Sequence, residues 1–187
     1  MNSNKYDVAV LVGSLRKASL NRAMALELMS IAPQSLALEI VEIGNLPLYN
    51  QDLDEQNIPE TWKTLRTRIA RASAVLFVTP EYNRSIPAVL KNALDIGSRP
   101  YGQSVWDGKP GAVVSVSPSA IGGFGANHHL RKSLVFLNVP AMQQPEAYIG
   151  GAGDLFDGNG KLKNEKTRQF LTKFMQSFLI WIERNRN

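Results

Sequence analysis

Short Val-rich apolar runs alternate along the chain with stretches of helical spacing, and this rhythm predicts the elements. Tyr6 to Val12 is an apolar run ending at Gly13-Ser14, the pattern of a strand buried on both faces. Ser19 to Ile31 follows with Met24, Leu28 and Ile31 on one helical face. Leu36 to Ile43 alternates as a second strand, and Asn45 to Pro59, rich in Asn, Asp, Gln and Pro, reads as a loop. Glu60 to Ser73 is helical, with Trp62, Leu65 and Ile69 in register. Ala74 to Thr79 is the clearest strand, stopped by Pro80. Ile86 to Ser98 is a helix with Ser85 as its N-cap and Pro87 in the first turn. Gly111 to Val116 is a strand, Gly125 to Leu137 a helix and Ala141 to Ile149 the last strand. Glu165 to Arg184 closes the chain as a helix whose apolar face includes Phe170, Phe174, Phe178 and Ile182.

A β-α order repeated five times, with neither internal repeats nor a linker, implies one domain over residues 1–187. Its expected architecture is an α/β flavodoxin-like three-layer sandwich around a five-stranded parallel sheet of order 2-1-3-4-5. Ligands of such sheets sit at the carboxyl ends of the strands, beside the switch point between the first and third. The loops that follow Val12, Thr79 and Val116 therefore carry the candidate chemistry.

Composition narrows that chemistry. The chain of 187 residues has no cysteine, which excludes disulfides, thiolate nucleophiles, Cys-ligated zinc and iron–sulfur clusters. Its only histidines, His128 and His129, are adjacent, and neighbouring helical side chains point about 100° apart, a poor chelating pair. No metal site is expected, so electrons, if moved, need an organic cofactor. A net charge of +5 suits an anionic partner, but the 21 Lys and Arg are scattered rather than clustered for nucleic acid. No apolar stretch reaches the roughly 20 residues of a membrane span, and Met1 to Lys5 leads into a run too short for a signal sequence. A cytoplasmic protein binding neither nucleic acid nor membrane is expected.

In the first loop Ser14, Ser19, Asn21 and Arg16 gather at a helix start, where unpaired N–H groups form an anion site. Without G-x-G-x-x-G or a P-loop motif, a terminal monophosphate fits better than a dinucleotide or triphosphate. An ordinary helix cap beside a solvated arginine is the plain alternative. The second loop, Thr79 to Pro87, places Tyr82 and Asn83 between two prolines, a rigid peptide able to meet the pyrimidine edge of a flavin. A simple strand-to-helix turn would read the same way, and Glu81 serves as well to hold the loop as to move a proton. The third loop, Ser115 to Gly125, is glycine-rich, which permits either close approach to the backbone or mere flexibility.

Gly13-Ser14-Leu15-Arg16-Lys17-Ala18-Ser19-Leu20-Asn21 resembles the G-S-x-R-x-x-S-x-N phosphate loop of the NADPH-dependent FMN reductase family, especially its chromate and quinone reductases. Thr79 to Asn83 is similar to that family's T-P-E-Y-N signature, followed by Leu90-Lys91-Asn92-Ala93. Leu46 to Asn50 and Ile121-Gly122-Gly123 extend the resemblance over nearly the whole chain. It implies FMN bound through Ser14, Leu15, Arg16, Ser19, Leu20, Asn21, Pro80, Glu81, Tyr82, Asn83, Arg84 and Ser117, with no catalytic side chain because the flavin carries the hydride. It also implies NADPH or NADH as co-substrate, a small acceptor (quinone, chromate, azo compound or flavin) served by alternating binding, and a homodimer or homotetramer. A one-electron flavodoxin-like carrier and a non-catalytic flavin or nucleotide sensor are the competing readings. The basic charge opposes the carrier. A phosphoacceptor receiver domain fails, since Gly13-Ser14 and Pro80 stand where its acids belong. Val135 and Phe136 lie off the Leu130, Leu134 and Leu137 helix face and so suit a subunit contact.

Overall fold

The computed structural model describes residues 5–186; the polar lead-in Met1 to Asn4 lies outside them. Strands β1 (Tyr6–Val12), β2 (Leu36–Val41), β3 (Ala74–Thr79), β4 (Gly111–Val116) and β5 (Ala147–Ile149) form one sheet in the order β2-β1-β3-β4-β5. Every pairing is parallel, so the expected flavodoxin-like topology is observed.

Alternation along β1 divides the interior in two. Val8, Val10 and Val12 face a layer made by α1 (Leu20–Ile31) and α6 (Glu165–Asn185), where Met24, Leu28, Phe174 and Phe178 are fully buried. Ala9 and Leu11 face α3 (Glu60–Arg71), α4 (Ala88–Gly97) and α5 (Phe124–Phe136), through Trp62, Ile69, Leu90 and Leu134. With helices covering both faces, every residue of β3 and β4 is buried, as their unbroken apolar runs require.

Three expectations about elements need correction, and one element is new. The Asn45 to Pro59 loop contains a six-residue helix, α2 (Gln51–Gln56), capped by Asn50 Oδ1 accepting from Asp52 N. The last strand is only Ala147–Ile149; Ala141 makes a lone bridge to Gly111, and Pro145, which has no N–H to give a ladder, lies between. Ser85 does not cap α4: that helix starts at Ala88 after Pro87, while Ser85 closes a turn with Tyr82. A short 3₁₀ turn, Ala152–Asp154, follows β5 unannounced by the sequence pattern.

Two distant motifs are joined by Asn92 of α4. Its Nδ2 donates to Leu46 O (3.3 Å) and Pro47 O (3.0 Å), and its Oδ1 accepts from Tyr49 N (2.8 Å). The Leu46 to Asn50 segment is thereby held against the helix that follows the second loop. Replacing Asn92 by Asp sets a carboxylate oxygen against two carbonyls. We expect a loss of about 2–4 kcal/mol, read as a lower melting temperature. Protonation would restore a donor, so the folded-state pKa of the new carboxyl lies above the unfolded value of about 3.9. The deficit is therefore smallest below that value and grows as pH rises through the folded pKa. Thermal melts at acid and neutral pH check both the size and the sign.

Candidate functional site

The carboxyl ends of β1, β3 and β4 bring the three loops together, and three contacts tie them into a triangle. Where the first loop passes the second, Gly13 N donates to Val78 O at the end of β3 (2.9 Å). A Cβ on Gly13 would stand 3.2 Å from both Pro80 Cδ and Thr79 Oγ1, a tight fit that glycine relieves where the loops lie this close. Between the first and third, buried Asn21 donates from Nδ2 to Val116 O (3.3 Å) across the sheet ends. Between the second and third, Glu81 Oε2 accepts from Ala126 N (3.0 Å) in the first turn of α5.

The first loop ends at Ser19, the N-cap of α1, whose Oγ accepts from Arg22 N (3.1 Å). A capped helix start still leaves its first N–H groups, here those of Leu20 and Asn21, without intrahelical partners. Ser14, Ser19 and Asn21 are buried around this point, whereas Arg16 is exposed and makes no ion pair among the described residues. Asn21 Oδ1 is buried without a hydrogen-bond partner. That orphaned acceptor suits a ligand hydroxyl, and the helix N–H groups, Ser14 and Arg16 suit an anionic oxygen. The donor and acceptor set thus fits the sugar-alcohol phosphate arm of FMN.

Two members of the expected set contribute differently from the rest. Leu20 is half-buried against the α1–α6 core, and Leu15 lies over Gly44, whose Cβ would be 3.0 Å from Leu15 Cδ2. Neither side chain carries a polar group, so any contact with a phosphate would come from the backbone N–H groups; Leu15 itself is 54% exposed.

In the second loop Tyr82 N donates to Ser85 O and Ser85 N to Tyr82 O, each at 2.9 Å, around Asn83 (φ 51°) and Arg84 (φ 64°). Two consecutive left-handed residues make a tight type I′ turn. Asparagine accepts this conformation readily; for arginine it costs roughly 1 kcal/mol. Tyr82, Asn83 and Arg84 are exposed on the turn, and Arg84 Nη1 stands 3.3 Å from Glu81 Oε1. Pro80 is buried beside Gly13.

In the third loop two of the glycines are required by the protein's own packing. A Cβ on Gly122 (φ 61°) would meet Tyr148 C at 2.7 Å, and one on Gly125 would meet Glu81 Oε2 at 2.9 Å. Both glycines are consumed by packing inside the protein. Ser117 Oγ donates to Ser119 Oγ and accepts from Ser119 N, each at 3.1 Å, holding the start of the loop. The two histidines diverge: His128 Nε2 is 2.9 Å from the Tyr148 hydroxyl and His129 Nδ1 is 3.0 Å from Ser85 Oγ. Burial, with help from a hydrogen bond to Glu146, pushes the Tyr148 phenol up to about 12, so it stays protonated at neutral pH.

The family model described as NADPH-dependent FMN reductase matches residues 6–154. The chain belongs to that family. It is an oxidoreductase whose cofactor is FMN and whose co-substrate is a reduced nicotinamide. A quinone reductase of Pseudomonas putida is 65% identical to this reductase over 184 residues, 98% of each chain. A 2-hydroxy-1,4-benzoquinone reductase of a Burkholderia species is 48% identical over 179 residues, 96% of this chain and 97% of its own. Among solved structures, FerB, a flavoenzyme NAD(P)H:(acceptor) oxidoreductase from Paracoccus denitrificans, superposes with a TM-score of 0.92 at 43% identity. That match covers 97% of this reductase and 100% of FerB.

Sequence reasoning missed Ala126 N, which closes the triangle, and Asn92, which holds the Leu46 to Asn50 segment. Ala126 N bears no motif signal, because a backbone donor has no residue type; Asn92 lies in the Leu90 to Ala93 motif, but nothing in that motif says which distant segment its amide holds.

Proposed function

We propose that this reductase takes hydride from NADPH or NADH and delivers two electrons to a small acceptor, with a quinone the first candidate. The observation that carries the reading is the triangle of tied loops around the start of α1, at the switch point of a parallel sheet. The names of the quinone reductase relatives support the acceptor class. Chromate, azo compounds and free flavin are further acceptors of the same kind.

Ser14, Arg16, Ser19 and Asn21, with the N–H groups of Leu15 and Leu20, would hold the phosphate arm, and residues 80–84 with Ser117 the ring. FMN bound there supplies the two-electron chemistry, receiving hydride from the nicotinamide and reducing the acceptor. The protein's own part is to orient and shield. No general acid is required, and Glu81 is already engaged with Ala126 N. The exposed turn at Tyr82 to Arg84 forms one open rim, so nicotinamide and acceptor would occupy the same place in alternation. The positive balance favours NADPH, whose extra phosphate adds charge.

The activity would reside on one domain, because α6 packs into the same core as α1. We assign the protein to the cytoplasm; no described helix is long and apolar enough to cross a membrane.

A groove of about 1180 Å³ lies between α4 and α5, reaching the three loops only at Ser85 and Ile86. Its lining mixes Lys91, Arg99 and Lys132 with Asp95 and Asp107, and Phe136 there is 87% exposed. A two-fold related copy could set acids against bases and cover that ring, so we assign this face to a homodimer, the unit of any tetramer. Phe136→Asp should return the particle to 20.7 kDa in gel filtration with the fold intact by circular dichroism. A wild-type protein already eluting at that mass would end the assignment.

The function itself is tested by an absorbance spectrum after FMN addition and desalting, followed by anaerobic NADPH. Retained flavin bands that bleach with NADPH and recover with a quinone support the reading. Retention without bleaching points to a one-electron carrier or a sensor, and failure to retain flavin sinks the reading altogether.

A further inference from the structure

We propose that Glu81 is a positioning residue: its carboxylate, reaching from the second loop to the start of α5, holds the ring-facing turn at one distance from the third loop. The proposal rests on the reading that the FMN ring lies along residues 80–84.

Helix α5 begins without a cap of its own. Its N-cap is Gly123 in the left-handed region, which has no side chain to offer, and no acidic residue occupies its first turn. Such a helix start presents unpaired N–H groups and partial positive charge, and both are answered by a carboxylate. Glu81 supplies it from 45 residues away, with Oε2 accepting from Ala126 N at 3.0 Å and the side chain only 10% exposed.

The surroundings are shaped for this contact. Gly125 lies directly over it, since a Cβ there would meet Oε2 at 2.9 Å and Arg84 O at 3.0 Å. On the far side of the turn, Ser85 Oγ is 3.0 Å from His129 Nδ1, also on α5. The Tyr82 to Ser85 turn is thus anchored to one helix at both ends, while Asn83 and Arg84 hold left-handed conformations that a free loop would abandon. Removing the Glu81 anchor transfers the ordering of this turn to the moment of ligand binding, which weakens affinity without removing any ligand contact.

The mechanism depends on reach rather than charge, and three variants separate the two. Glu81→Gln keeps the length and an acceptor oxygen. Glu81→Asp keeps the charge but is one methylene too short, and Glu81→Ala keeps neither. The measurements are FMN dissociation constants from fluorescence quenching, the visible band shape of bound flavin and the melting temperature of each apoprotein. We expect Ala and Asp to weaken FMN binding by roughly 10- to 100-fold, as the ordering of the turn falls to the binding step. Their flavin bands should shift as the ring loosens, with apoprotein melting close to wild type. Gln should bind within about threefold of wild type. Should Ala fail to fold, the contrast between Gln and Asp carries the test. Wild-type affinity in Asp and Ala, or equal weakening in Gln and Ala, overturns the proposal. A wild-type protein that binds no FMN overturns the parent reading instead, and that titration alone tells the two failures apart.

Discussion

Gly122→Ala should lower the stability of the apoprotein by about 3 kcal/mol, which at about 2–4 °C per kcal/mol for a chain of this size is a melting shift of roughly 6–12 °C. Two causes add. Gly122 sits at φ 61°, where an L side chain costs roughly 1 kcal/mol. The new Cβ would also stand 2.7 Å from Tyr148 C and 2.9 Å from both Ile149 N and Tyr148 O. These are backbone atoms of β5, held in register with β4, so they cannot rotate aside as a side chain could. Either β5 shifts or the third loop leaves its seat. In the second case Gly123 is displaced with it, α5 loses its starting geometry, and flavin binding falls along with stability. Gly153 makes a control, because a Cβ there meets nothing within 4 Å. Differential scanning calorimetry of the two alanine variants decides the matter. Equal melting temperatures would mean that the contact with β5 carries no weight.

The comparison of these two glycines bears on what the sequence can reveal. Both look alike in the chain, and only the fold places one against a strand backbone and the other in open space. The strands were legible because burial on both faces leaves an unmistakable composition: all six residues of β3 are buried, and its boundaries are those its apolar run predicts. Elements without such a signature were lost. Helix α2 has no buried residue, so no apolar stripe could announce it. The last strand is shorter than the Ala141 to Ile149 pattern predicts: Met142 is buried, yet only Ala147–Ile149 pairs beyond the lone Ala141 bridge. Ser85 has the right type for a helix cap and the right place before Pro87. Two left-handed residues ahead of it instead turn the chain back on itself, and its hydroxyl goes to His129.

The site divides in the same way. Its position and its motif residues followed from the ends of β1 and β3, since local composition names both strand and loop. The ties that give it shape did not, because they join Glu81 to Ala126 across 45 residues and Asn21 to Val116 across 95. All three ties end on at least one backbone atom, which no residue type marks. The structure therefore adds to the motif an explanation of its rigidity: each loop is braced by the other two, and a ligand arriving there meets donors already in place.

Arg16 is the one arginine of the first loop, exposed and without an ion pair among the described residues. Replacing it by alanine should raise the FMN dissociation constant by roughly 10- to 100-fold, since a fork of guanidinium N–H groups on phosphate oxygens is worth about 1.5–3 kcal/mol. The start of α1 alone supplies less, about 0.3–1 kcal/mol for an anion near a helix N-terminus, so the arginine should dominate. Apoprotein stability should hardly change, because Arg16 is exposed and makes no ion pair among the described residues. Arg16→Lys keeps the charge but loses the planar fork, and belongs between the two. Salt separates charge from shape: the affinity gap between wild type and Arg16→Ala should narrow as ionic strength rises and screens the exposed cation. Titrations in low and high salt, with riboflavin as the ligand lacking phosphate, complete the test. Riboflavin should bind wild type and Arg16→Ala equally weakly. If Arg16→Ala instead keeps wild-type affinity for FMN, the phosphate does not sit at the start of α1, and the ligand runs the other way along the loops.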